Sequence, residues 1–151
     1  DADLLYLKGL RQLTLAKRDD APADAAASAR SWFARARAAD PNHFQALVRY
    51  VESLDTAPEA LSGEAREMLV QASRLAPHVA SVALNAAIAL LANGDHEEAE
   101  RLLEPLASNP HDQNLAAFAR RLLDEARGGS SPEEGASQDP APASEVRDKS
   151  E

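Results

Sequence analysis

Apolar side chains recur along the first 127 residues every three or four positions, the spacing that lines one face of an α-helix. Leu4, Leu7, Leu10, Leu13 and Leu15 predict a first helix from about Asp3 to Lys17, and Arg18-Asp19-Asp20-Ala21-Pro22 breaks it. A second runs from about Ala23 to Ala39 and stops at Asp40-Pro41, because a residue before proline is biased out of helical geometry. The third, His43 to Leu54, carries Phe44, Leu47, Val51 and Leu54 on one face. Thr56-Ala57-Pro58-Glu59 has the form of a capping box opening a fourth helix that ends at Leu75, with Gly63 able to delay its start. The fifth spans about Val79 to Ala92. Asn93-Gly94-Asp95 ends it, Gly94 suiting a left-handed cap and Asp95 the next N-cap. The sixth, His96 to Ala107, opens with Glu97, Glu98 and Glu100, which complement the helix dipole, and Pro110 closes it. Leu115, Ala119, Leu122, Leu123 and Ala126 mark a seventh helix from about Asp112 to Arg127.

Composition supports the same class. Alanine (33) and leucine (20) dominate, whereas Val, Ile and Thr together number nine, too few for a sheet protein. The absence of cysteine excludes a disulfide scaffold, a thiolate metal site and a thiol nucleophile. Sixteen basic against 25 acidic residues give a net charge of −9, which argues against nucleic acid or an anionic membrane as partner. Val79 to Ala92, the longest apolar stretch, is shorter than the roughly 20 residues of a membrane span. The opening Asp1, without a basic-then-apolar leader, is expected of a mature form or an excised piece. Thirteen arginines to three lysines, with abundant alanine, fit the coding bias of a GC-rich bacterium. From Gly128 to Glu151, Ser, Gly, Pro and acidic residues leave a single Val; this segment reads as a disordered acidic tail beside a helical domain over 1–127.

The prolines Pro41, Pro77 and Pro110 fall 36 and 33 residues apart, each closing a helix pair and each followed within two residues by a histidine. A period near 34 with two helices per unit signals a helical solenoid, in which each pair buries its apolar face against the next. The unit from Ala80 to Pro110, with Ala86, Ala87, Leu90, the Asn93-Gly94-Asp95 turn, Ala99, Leu103 and Leu106, resembles the tetratricopeptide repeat (TPR) family. Gly9, Ala29, Phe33, Ala36 and Asp40-Pro41 match the pattern in the first unit, and Leu47, Ala65, Leu69, Ala72 and Pro77 in the second. The first unit departs by a longer turn around Lys17–Asp24, whose extra closure entropy is only about 1 kcal/mol. The second has Val51 where the family has a small crossing residue, which should push its helices apart. The resemblance implies an all-α, right-handed α-solenoid of about three pairs (1–41, 42–77, 78–110) and a capping helix (111–127).

No Ser–His–Asp constellation, glycine-rich phosphate loop or cofactor motif can be built from these residues. His43, His78 and His111 occupy equivalent turns, and packed helices stand about 8–10 Å apart, too far for one zinc ion to bridge; they read as polar turn residues. His96-Glu97-Glu98-Ala99-Glu100 lacks the second histidine of the zinc-protease motif. Arg30, Arg35 and Arg37 form a basic cluster read as a solvated outer surface.

Binding is the better candidate. The resemblance implies a concave groove lined by the first helix of each pair. Its candidate residues are Tyr6, Leu10 and Leu13 from the first pair, Gln45, Arg49 and Glu52 from the second, and Ser81, Asn85 and Ile88 from the third. In similar TPR proteins an asparagine at the Asn85 position bonds the ligand backbone. Arg49 can hold a carboxylate or pair with Glu52 on its own helix. Tyr6 and Leu10 stand where the chaperone-binding subgroup has lysine and asparagine, so a chaperone C-terminus is not the expected ligand. The resulting reading is a non-enzymatic module that binds a protein or peptide, with no cofactor, nucleic acid or membrane insertion. Its alternatives are a C-terminal accessory domain of a larger bacterial enzyme, such as an envelope peptidase, and weak self-association through the apolar groove.

Overall fold

A computed structural model describes residues 1–129, and among them the regular structure is entirely helical. Seven α-helices follow one another: α1 (Ala2–Ala16), α2 (Ala25–Ala39), α3 (Phe44–Glu52), α4 (Gly63–Leu75), α5 (Ala80–Ala92), α6 (His96–Ala107) and α7 (Gln113–Gly129). A single 3₁₀ turn, Pro58–Ala60, lies between α3 and α4. Each helix packs on its neighbours in sequence, and α5 additionally touches α7 and the 3₁₀ turn. The result is a TPR-like helical repeat solenoid. α7 runs through Gly128 to Gly129, slightly into the segment read as tail; the remainder of that segment, from residue 130, lies outside the described residues.

The largest departure from the sequence reading lies between α3 and α4. Thr56-Ala57-Pro58-Glu59 does not cap a helix: the Thr56 hydroxyl donates to the Leu54 carbonyl instead. Ser62 is the N-cap, its Oγ accepting from the Ala65 amide at 3.2 Å, so α4 begins at Gly63. α3 stops at Glu52 because Leu54 and Asp55 bond back by three residues, to Val51 and Glu52, after which Asp55 turns left-handed at φ +50°. At the other predicted turn Gly94 has φ +83° and closes a Schellman motif, with the Asp95 amide on the Leu90 carbonyl and the Gly94 amide on Leu91. Asp95 does not cap α6 through its side chain; its carboxylate accepts from Asn93 Nδ2 at 2.6 Å.

Burial follows the stacking. α5 is apolar nearly all round, as a helix covered on two sides must be. Val82, Ala86 and Ala89 join Leu47, Val51, Leu69 and Ala72 of the preceding pair. Ala83, Ala87 and Leu90 join Ala99, Leu103, Ala119 and Leu123 on the other side. In the first pair the Phe33 ring is fully buried, and α1 comes so close that a Cβ on Gly9 would stand 2.5 Å from it. Glycine is required there by the approach of two helices.

Polar side chains fasten successive helices, which refines the reading of the arginine cluster and corrects that of His43. Arg30 and Arg37 are half-buried and also link helices: Arg30 of α2 donates to the Ser53 carbonyl at the end of α3, at 2.6 and 3.1 Å. Arg37 reaches Glu64 of α4 at 3.2 Å and lies over the Tyr50 ring. Arg35 stacks on Trp32. Arg120 of α7 repeats the first device, donating to the Ala107 carbonyl at the end of α6. His43 is a buried cap and not merely a polar turn residue. Its Nδ1 accepts from the Ala46 amide at 3.2 Å, which leaves the proton on Nε2 to donate to Asp3 at 3.1 Å, tying the start of α1 to the start of α3.

Candidate functional site

α1 meets the start of α3 through Tyr6 and His43, and the end of α3 and the middle of α5 border one pocket. Tyr6 of α1 sits with its ring centroid 5.9 Å from Phe33 and 5.0 Å from His43, so packing on both the first and the second pair orients it. Its hydroxyl lies close enough to Arg49 of α3 to favour the guanidinium charge. Arg49 donates to Glu52, one helical turn on, at 2.8 Å. Burial works against the Arg49 charge, but the Glu52 carboxylate and the nearby Tyr6 hydroxyl offset it and hold the guanidinium above the ordinary arginine pKa. The pair of Arg49 and Glu52 is therefore already made before any partner arrives.

Beyond Glu52 the chain does not continue as helix, and the space a longer α3 would fill is a pocket of about 420 Å³ between the end of α3, the 53–62 connection and α5. Val51, Leu61, Leu69 and Ala89 are buried and form its floor, with Ile88 half-buried beside them. Glu52, Asp55, Thr56 and Ala57 are exposed at its rim, Pro58 closes one side, and the half-buried Asn85 amide borders it from α5. Two carboxylates and no cation line it. Neither the Asp55 carboxylate nor the Asn85 amide has a hydrogen-bond partner among the described residues.

The nine sequence-derived groove positions thus divide. Glu52, Asn85 and Ile88 share the pocket, Arg49 lies beside it through its bond to Glu52, and Tyr6 stands one step further away, next to Arg49. Leu10 and Leu13 are half-buried on α1, while Gln45 and Ser81 are exposed at the starts of α3 and α5; none of these four lines the pocket. Sequence reasoning missed Asp55, Thr56, Ala57, Pro58 and Leu61, because it assigned most of that stretch to the start of α4. The signal available was Ser62-Gly63, a good N-cap directly before a helix, which competes with Thr56 for the same role.

The remaining chemistry is dispersed. Among the described residues no group of three His, Asp or Glu side chains stands close enough to hold a metal ion, and no helix is long and apolar enough to cross a membrane. Glu100 of the His96–Glu100 run is committed to Arg127 of α7 at 2.7 Å.

A tetratricopeptide repeat family model matches residues 63–127, from the first residue of α4 into the last turn of α7. No match is found among curated proteins. The matched stretch contains the Ala80–Pro110 unit and begins after α1 to α3, which continue the same packing order.

Proposed function

We propose that this chain, whose residues 63–127 match a tetratricopeptide repeat model of a kind generally found in non-catalytic protein-interaction modules, holds an extended segment of a partner protein along the α1–α3–α5 side and carries out no chemistry of its own. One observation carries this reading: Glu52 of α3 and Asn85 and Ile88 of α5, chosen from repeat register alone, border one pocket with a buried aliphatic floor. A pocket of about 420 Å³ falls within the usual ~300–1,000 Å³ range for binding sites. Asn85 brings an unengaged amide that can bond a peptide backbone as donor and acceptor at once.

Site-specific photo-crosslinking in the source cells tests it. A benzophenone side chain placed at Ile88 should yield discrete adducts with one or a few proteins, whereas the same group at Glu67, exposed on α4, should not. Adducts from Glu67 with none from Ile88 would move the interaction to the opposite side. A second reading, an accessory repeat domain attached to an enzyme, is supported by Leu4 and Leu7 of α1, which stand 53% and 58% exposed. Another domain packed on α1 would cover them. The complete gene tests this: an enzyme domain in the same reading frame supports it, and its absence removes it.

A further inference from the structure

We infer that the pocket between α3, the 53–62 connection and α5 selects a basic side chain, lysine or arginine, on the bound segment, with Asp55 as the group that reads its charge. The inference rests on the peptide-binding reading of this side and adds the chemistry of the occupant.

Three features of the pocket lead there. Lysine and arginine bury an aliphatic stem while keeping the charged head near water. A floor of Val51, Leu61 and Leu69 under a carboxylate rim offers both halves of that preference at once. The two carboxylates differ in availability: Glu52 already accepts from Arg49 at 2.8 Å, whereas Asp55 is exposed and has no partner among the described residues. No cation in the lining competes for an incoming one, and the chain's net charge of −9 favours encounter with basic segments. Asp55 also holds a left-handed backbone, φ +50°, which glycine, asparagine and aspartate all adopt. An acidic side chain would meet Glu52 and Asp55 unpaired, and a purely apolar one would fill the floor while leaving Asp55 unanswered.

The conformation of Asp55 makes the test clean, because Asp55→Asn and Asp55→Gly both accept positive φ and neither should unfold the chain. A random dodecapeptide library displayed on phage is selected against the full chain, against Asp55→Asn, and against the double variant Asn85→Ala with Ile88→Ala. Thermal melting of each variant accompanies the selection. For the unsubstituted chain, lysine and arginine should be enriched at one aligned position about threefold or more over the naive library. A synthetic peptide with that residue replaced by norleucine should bind about tenfold more weakly, the size of one charge-assisted hydrogen bond. Against Asp55→Asn the enrichment should vanish, and Asp55→Gly should lose the preference while melting no lower than the parent. Peptides whose aligned position is apolar or acidic, and which bind Asp55→Asn as well as the parent yet weaken on Asn85→Ala with Ile88→Ala, would overturn this inference and leave the peptide-binding reading standing. Failure to enrich any peptide, or peptides indifferent to all three variants, would overturn both.

Discussion

Gly9→Ala places two effects of opposite sign on one atom. In an open helix the change removes the conformational freedom of glycine and stabilises by about 0.5–1 kcal/mol. Here the new Cβ would stand 2.5 and 2.6 Å from Phe33 Cε1 and Cδ1, closer than carbon atoms can pack. The ring cannot step aside easily, since Phe33 is fully buried and Tyr6 lies against it at 5.9 Å between centroids. Overpacking of this kind costs about 1–3 kcal/mol, so the clash outweighs the helix gain and a net loss of about 1 kcal/mol is expected. For a chain of this size that lowers the melting temperature by about 3–5 °C. Urea denaturation followed by circular dichroism at 222 nm reads the loss directly. Phe33→Leu should then relieve it: in the double variant the alanine no longer meets a ring edge, and the cycle should give a favourable coupling of about 1 kcal/mol. A higher urea midpoint for Gly9→Ala, or strict additivity in the cycle, would refute the close approach of α1 to α2.

Three further outcomes are expected. Gly94 has open space around it, so only its backbone matters: Gly94→Asn should cost less than about 1 kcal/mol and Gly94→Val about 1–2 kcal/mol more, read as separate melting temperatures. His43→Ala should lower stability by about 1–2 kcal/mol in urea titration through loss of the α3 cap, with His43→Asn recovering part of it because asparagine can accept the same amide. Replacing the exposed Leu4 and Leu7 by glutamine should shift the urea midpoint by no more than about 0.5 kcal/mol each; a larger loss would mean that this face of α1 is covered.

The number and order of helices were legible in the sequence because each boundary carries a local cause: Pro41, Pro77 and Pro110 between pairs, Gly94 within one. What escaped is what depends on distant residues. Thr56 to Glu59 satisfies the pattern of a capping box, but a pattern cannot register that Asp55 turns left-handed and Leu61 is drawn into the core. Periodicity placed Arg30 and Arg37 on one face; that the face meets the end of α3 and the start of α4 is a property of stacking. The candidate site divides in the same way. Its helical members, Glu52, Asn85 and Ile88, follow from register, while Asp55 and its neighbours come from an irregular connection that register does not describe.

The central claim is that partners meet this chain on the α1–α3–α5 side. The most direct measurement is the change in backbone amide shifts of isotope-labelled chain on addition of the partner segment recovered by crosslinking. Shifts concentrated at Glu52, Asp55, Asn85 and Ile88, with the exposed positions Glu67 and Arg101 of α4 and α6 unmoved, are the predicted result. Shifts gathered on α4 and α6 with a silent pocket would contradict it.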